Sequence, residues 1–267
     1  MRLLTPIVPD PAAPMVRANP VAKLAAALIL LVALFASLDG VTAGVVLLGL
    51  VALLPASGLS VRALAGRAWL VGITAVSVGV FNVLFAAEQA GPTVVDLGPV
   101  RIGAETLANG AGLVLRLLAI ALAGLLATAS SDPVDIADAL IQQLRVSPRF
   151  AVGVLAALRL LPLLALEWQT LGMARRARGV EAGRSPVAAV QLFAGKLLSL
   201  LVGVIRRASR MALAMEARGL GALDCRSVAR PQRMRRFDWA WIAGAVALAS
   251  AAIGISLALG TWRPLVG

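Results

Sequence analysis

Residues 239–260 read WAWIAGAVALASAAIGISLALG, an apolar run without one charged side chain. Coiled as a helix, about 20 such residues match the roughly 30 Å hydrocarbon thickness of a bilayer. Four more runs upstream share this character: 18–38, 41–59 (weakened near its end by Pro55 and Gly58), Trp69 to about Ala87, and about Leu107 to Ala129. Each predicts a helix, because lipid supplies no partners for the unpaired backbone groups of a strand. A composition of 60% hydrophobic and 14% charged residues excludes an ordinary soluble domain. The fold class that follows is an all-α membrane protein with about five transmembrane helices.

Charge placement orients these spans. Of the 25 Lys and Arg, 17 lie in 131–236, against 7 of the 13 Asp and Glu, so this stretch carries most of the net +12. The positive-inside rule makes it cytoplasmic. Walking back, the loop 88–106 (Arg101 against Glu88, Asp96 and Glu105) falls outside, and the loop 60–68 (Arg62, Arg67) inside. The Asp39-Gly40 turn falls outside, and the N-terminus (Arg2, Arg17) inside. Five spans then leave the C-terminus outside. Trp69, Trp239 and Trp262 stand at span ends, where an amphipathic ring prefers the headgroup zone. The first twenty residues hold Pro6, Pro9, Pro11, Pro14 and Pro20 and no small-residue cleavage site, so the first run is expected to stay as an anchor. The organisation expected is 1–130 with four spans, 131–236 as a cytoplasmic domain, and 237–267 as the last span.

Within 131–236 three helical pieces are predicted. Asp132-Pro133 is a helix start, with Asp135 and Asp138 suited to the positive end of the dipole, and this piece ends near Ser147-Pro148. A second piece runs from about Arg149 to Arg178 through Pro162, and a third from about Pro186 to Arg218. Residues 186–205 are apolar enough to suggest a sixth crossing. Lys196 near their middle costs about 2.5–3.5 kcal/mol on insertion scales. Arginines also stand on both flanks: Arg175, Arg176, Arg178 and Arg184 before, Arg206, Arg207 and Arg210 after. The reading is therefore a helix packed on, or dipping into, the cytoplasmic face.

The second and third helices finish alike, at Ala177-Arg178-Gly179 and Ala217-Arg218-Gly219. Glycine takes the left-handed cap without steric cost. Arginine in the last turn complements the negative end of the dipole. Alanine keeps the tip slim, so another backbone can approach. A guanidinium on such a tip suits bidentate capture of a partner's carboxylate. Arg207, Met211, Ala214 and Arg218 share one face as an apolar stripe bounded by cations.

Several classes are disfavoured. With one cysteine (Cys225) no internal disulfide forms, and with no histidine a zinc site is implausible. No GxxxxGK[ST] phosphate loop exists, since Gly195-Lys196 is followed by leucine, so ATP hydrolysis is expected of partners. A membrane-embedded lipid-modifying enzyme would need paired carboxylates, histidines or a metal cluster. Asp132, Asp135 and Asp138 have the simpler helix-start reading. A basic membrane-anchored binder of nucleic acid or anionic lipid would use the same arginines. Trp168 and Phe193, however, offer little base stacking. No catalytic group, metal, cofactor or nucleic acid is expected.

The ordered set of these motifs resembles the T component of energy-coupling factor (ECF) transporters, the EcfT/CbiQ-type coupling subunits of cobalt, nickel and vitamin importers. LGPVRIGAETL (97–107), leading into VLRLLAIALAG (114–124) with Arg116, is similar to that family's approach to its fourth helix. TASSDPVDIADAL (128–140) resembles the start of its coupling domain. ALRLLPLLALEWQTLGMARRARG (157–179) and RASRMALAMEARGLG (207–221) resemble its two coupling-helix ends. The resemblance covers roughly 97–221; the first three spans match in hydropathy alone.

The resemblance implies a non-catalytic subunit in the cell membrane whose partners, besides lipid, are two cytoplasmic ABC-type ATPases and a small substrate-binding membrane subunit, the S component. It implies that each ATPase receives one Ala-Arg-Gly end, with Arg178 and Arg218 as docking cations and Ala177, Gly179, Ala217 and Gly219 as shape partners. Arg175 and Arg176 depart from the family pattern, and either Arg176 or Arg178 makes the main contact at the first end. Arg116 and Arg159 are family-like: Arg116 is expected either to bind an acid or lipid phosphate within the bundle or to snorkel. Glu167, eight residues beyond Arg159, is too distant for a direct pair along one helix and is expected to face another.

Overall fold

The computed structural model describes residues 13–59, 61–86, 92–96, 101–180, 183, 185–219 and 231–262. Helix starts follow the capping chemistry of the sequence. After a short α1 (Pro14–Arg17), α2 (Pro20–Ala36) begins at Asn19, whose Oδ1 accepts from the Val21 N–H at 2.9 Å, with Pro20 in the first turn. Asp39 caps α3 (Gly40–Ala52) by accepting from the Thr42 N–H at 2.8 Å. A 3-10 turn over Leu54–Ser57 carries Pro55 and closes on Gly58 at φ +66°, where the second run was expected to weaken.

Helix α3 thus stops at Ala52, short of the run expected over 41–59, and two other boundaries also differ from expectation. Helix α4 spans Val61–Leu84, so residues 61–68, expected in a loop, are helical. The two arginines there do not break a helix, since arginine is among the better helix formers. The loop before α5 (Ala104–Ala129) folds back as an antiparallel hairpin of β1 (Thr93–Asp96) and β2 (Arg101–Gly103), with Val95 opposite Ile102. Further on lie α6 (Pro133–Gln143), α7 (Pro148–Ala177), α8 (Pro186–Ala217) and α9 (Arg236–Ala258). As expected, Asp132 starts α6, its Oδ1 accepting from the Val134 N–H at 2.7 Å. Helix α7 continues through Pro162. Apart from the hairpin, the described residues bear out an all-α membrane protein. Cys225, Arg184 and the prolines up to Pro11 lie outside the described residues.

The chain divides into two compact units, Met1–Ala139 with Gln232–Gly267, and Leu140–Pro231. In the first, α5 packs on α3 and α4, while α2 packs on α9 and α5, and α3 also meets α9. The core is built from small and branched residues such as Leu34, Ala43, Val46, Ala119, Leu126, Ala249 and Ala252. Glycines bring backbones together. A Cβ on Gly112 would stand 2.9 Å from Gly40 Cα, and one on Gly110 would collide with Val83 Cγ2 and stand 3.2 Å from Gly79 O. Such contacts matter because lipid tails are as apolar as leucine, so association inside a membrane depends on close packing.

Helices α5 and α9 are long and apolar enough to cross a membrane. Length and composition alone would admit α7 and α8 as well. In the second unit α7 and α8 pack on each other, and α8 buries no residue: Val190, Phe193 and Leu198 are all more than half exposed. That apolar face needs lipid or a partner to cover it.

Gly112→Ala should cost about 1–3 kcal/mol by overpacking and lower the thermal midpoint of unfolding in detergent. Gly124→Ala, where an added Cβ meets open space, should leave that midpoint unchanged or raise it.

Candidate docking site

The two Ala-Arg-Gly segments adopt one geometry. Helix α7 ends at Ala177, Arg178 is its C-cap (φ −91°, ψ 8°), and Gly179 follows at φ +73°. Helix α8 ends at Ala217, Arg218 is its C-cap (φ −87°, ψ 8°), and Gly219 follows at φ +79°. At the first tip the Gly179 N–H donates to Arg176 O at 2.9 Å and the Val180 N–H to Arg175 O at 3.0 Å, a complete Schellman cap. At the second the Gly219 N–H donates to Glu216 O, also at 2.9 Å. Positive φ explains the glycine, since any side chain there would crowd the following carbonyl. Among the described residues, Arg176, Arg178 and Arg218 are exposed and make no ion pair or side-chain hydrogen bond, so three guanidiniums remain free to meet acidic groups.

Arg175 is used differently. It is partly buried and donates from Nη1 to Leu192 O at 2.9 Å and from Nη2 to Ser199 Oγ at 3.4 Å, both on α8. Three further contacts hold the same crossing. Arg207 lies 3.3 Å from Glu167, and Lys196 sits 4.0 Å above the Trp168 ring, which meets Phe193 edge-on at 5.4 Å. Glu167 thus faces another helix, and Arg207 turns to it instead of bounding the Arg218 stripe. The ion pair is about one-third exposed at each partner, so it registers the helices more than it stabilises them. Arg159 is exposed, without a partner among the described residues.

Arg116 is buried in the first unit. Its Nη2 donates to the Ser37 carbonyl in the α2–α3 turn, its Nε has no hydrogen-bond partner, and the Asp39 carboxylate is its nearby opposite charge. Asp39 also accepts from Ser37 Oγ, from Thr42 Oγ1 at 3.0 Å and from Ser256. Burial works to raise the Asp39 carboxyl, but these hydrogen bonds outweigh it and hold the group below the usual carboxylate range. Arg116 therefore does not snorkel to a surface: it donates to a backbone carbonyl of its own bundle, with an acid nearby.

Sequence reasoning did not single out Lys23 and Asp238. Lys23 is only 2% exposed and donates to Ser130 O at 2.9 Å, and Asp238 is 3% exposed and accepts from the Asn19 N–H at 2.7 Å. A lone lysine inside an apolar run was the available signal, because intramembrane charge is costly and needs a partner.

These features define a polytopic helical membrane protein carrying a second unit of two long helices with matched, arginine-bearing ends. The chain belongs to the cobalt transport protein (CbiQ) family, whose description matches residues 12–224. Over 160 residues it is 34% identical to the energy-coupling factor transporter transmembrane protein EcfT of Heliobacterium modesticaldum, covering 56% of this chain and 59% of that one. It is 33% identical over 150 residues to the protein of the same description from Lacticaseibacillus paracasei, covering 53% and 57%. A third such protein, from Thermosediminibacter oceani, is 29% identical over 182 residues, covering 64% and 67%. The chain spans less than two thirds of the length of the first two relatives. The resemblance to an ECF transmembrane component is borne out.

Gly179→Val and Gly219→Val should each cost about 1–2 kcal/mol through the left-handed conformation. Faster amide exchange confined to the last turn of α7 or α8 is the expected readout, and unchanged exchange would contradict the cap assignment.

Proposed function

We propose that this chain is the transmembrane coupling subunit of an ECF importer in the cell membrane. It passes ATP-driven motion of two cytoplasmic ATPases to a small substrate-binding membrane subunit, for uptake of a vitamin or metal ion. The chain itself catalyses nothing. Its N-terminus and residues 131–236 face the cytoplasm and its C-terminus the outside. Residues 1–130 and 237–267 form the transmembrane part.

The observation that carries this reading is the twinning of the helix ends. Two separate helices close on the same tripeptide with matching C-cap and glycine conformations, and each leaves a guanidinium unpaired at a slim tip. Two equivalent plugs suit two equivalent sockets. The charge is the one a groove lined with acids would accept, and a rigid tip spends little entropy on docking. The α7–α8 crossing, held by Arg175, Glu167–Arg207 and Trp168–Lys196, ties the tips into one mechanical element. The exposed apolar length of α8 supplies the surface on which the S component rides. The relatives' description as energy-coupling factor proteins points the same way.

Arg178→Ala and Arg218→Ala should each weaken ATPase association by about 2–5 kcal/mol, the usual cost of removing one member of a desolvated charge pair. Co-purification of the ATPases from membranes measures this, and Arg176→Ala tells which cation carries the first tip. Wild-type co-purification and uptake in the Arg178→Ala/Arg218→Ala double variant would overturn the reading.

A further inference from the structure

The chain leaves its first compact unit between Ala139 and Leu140 and returns between Pro231 and Gln232. Both connections run past one buried cluster of charge. Lys23 Nζ donates to Ser130 O, at the C-terminal end of α5, where the helix dipole and unsatisfied carbonyls favour a cation. Asp135, in the first turn of α6, and Asp238, in the first turn of α9, are its nearby opposite charges. Asp238 is itself bonded twice: its Oδ1 accepts from the Asn19 N–H at the start of α2, and its Oδ2 from the Arg235 N–H at 2.7 Å. Gln232 Nε2 lies 3.5 Å from Asp135 Oδ1, bridging the outgoing and returning segments.

Four helix ends therefore meet at Lys23: the starts of α2, α6 and α9 and the finish of α5. Lys23, Asn19, Ser130 and Asp238 are each less than a tenth exposed. The ammonium does not snorkel to a surface. In place of its lost water it has the Ser130 carbonyl, with the Asp135 and Asp238 carboxylates as nearby opposite charges, an arrangement that is strongly disrupted when one member is removed. Whatever force the second unit transmits through the covalent chain must pass through residues 130–135 and 232–238, the two segments this cluster ties down.

We infer that Lys23 is a positioning residue that clamps both connections to α2 and α9, so that motion of the coupling helices reaches the membrane bundle instead of being absorbed in slack joints. The inference rests on the coupling function proposed above. Its test is amide exchange on the full chain, co-purified with its ATPases in lipid nanodiscs, with and without ATP.

In the wild type, ATP should alter exchange in 130–138 and 232–238 and also in α2. In Lys23→Met, exchange of both connecting segments should rise at least about tenfold, while the ATP-dependent change no longer reaches α2 and α3–α4 exchange stays as in the wild type. Lys23→Arg, which keeps the charge and donors, should restore the wild-type pattern, a rescue that a merely space-filling role would not produce. Should Lys23→Met not fold, Lys23→Met/Asp238→Asn removes opposite charges together and should show the same loss. Unchanged exchange in the connecting segments, or an ATP response reaching α2 undiminished in either Met variant, overturns the inference. A wild-type chain that retains no ATPase instead overturns the functional reading, and this inference with it.

Discussion

A backbone amide in hydrocarbon has no water to bond, so each crossing must satisfy its own hydrogen bonds as a helix. Everything else in the first unit follows from how such helices adhere. Lipid competes evenly for leucine, so hydrophobic burial gives little preference for a neighbouring helix over the bilayer. Close backbone approach does, and Gly40 against Gly112 and Gly79 against Gly110 provide it. The alanine-rich core around Ala43, Ala119, Ala123 and Ala252 is the same solution extended through the bundle.

The same medium makes charge expensive, so charge in this unit is both rare and partnered. At the turn before α3, Arg116, Asp39, Ser37, Thr42 and Ser256 join α2, α3, α5 and α9. At the opposite ends of α2 and α9, Lys23 and Asp238 join α2, α5 and α9 with different chemistry. The bundle is closed by polar joints at its two ends and by small residues between them. The second unit reverses this economy. Its polar contacts register two helices across a sparse crossing, and its large apolar surface stays uncovered within the chain. An element that buries so little of itself is suited to bind something else.

Much of this was legible in the residues. The apolar runs announced the helices, Asp132-Pro133 and Pro186 marked starts, and Ala-Arg-Gly marked two ends because glycine after the last turn has a definite conformational reason. The start of α4 was misjudged because Arg62 and Arg67 read as a charged loop, although arginine fits a helix well. The pairing of β1 with β2 was missed because four- and three-residue strands carry almost no periodic signal.

The roles of individual cations were the least legible part. Arg175 and Arg178 are three residues apart and chemically identical. One is spent on Leu192 O and Ser199 across the helix crossing and the other is left free at a tip. Composition and period alone determined that this is a helical membrane protein with a basic second unit and two glycine-capped, arginine-bearing helix ends, since those features depend on neighbours a few residues apart. Only the tertiary structure decided which charges are free and which are bound, and that Lys23 meets Ser130, and Asn19 meets Asp238, across more than a hundred residues of chain. A partner's identity is set by distance in space, and a linear pattern does not encode that distance.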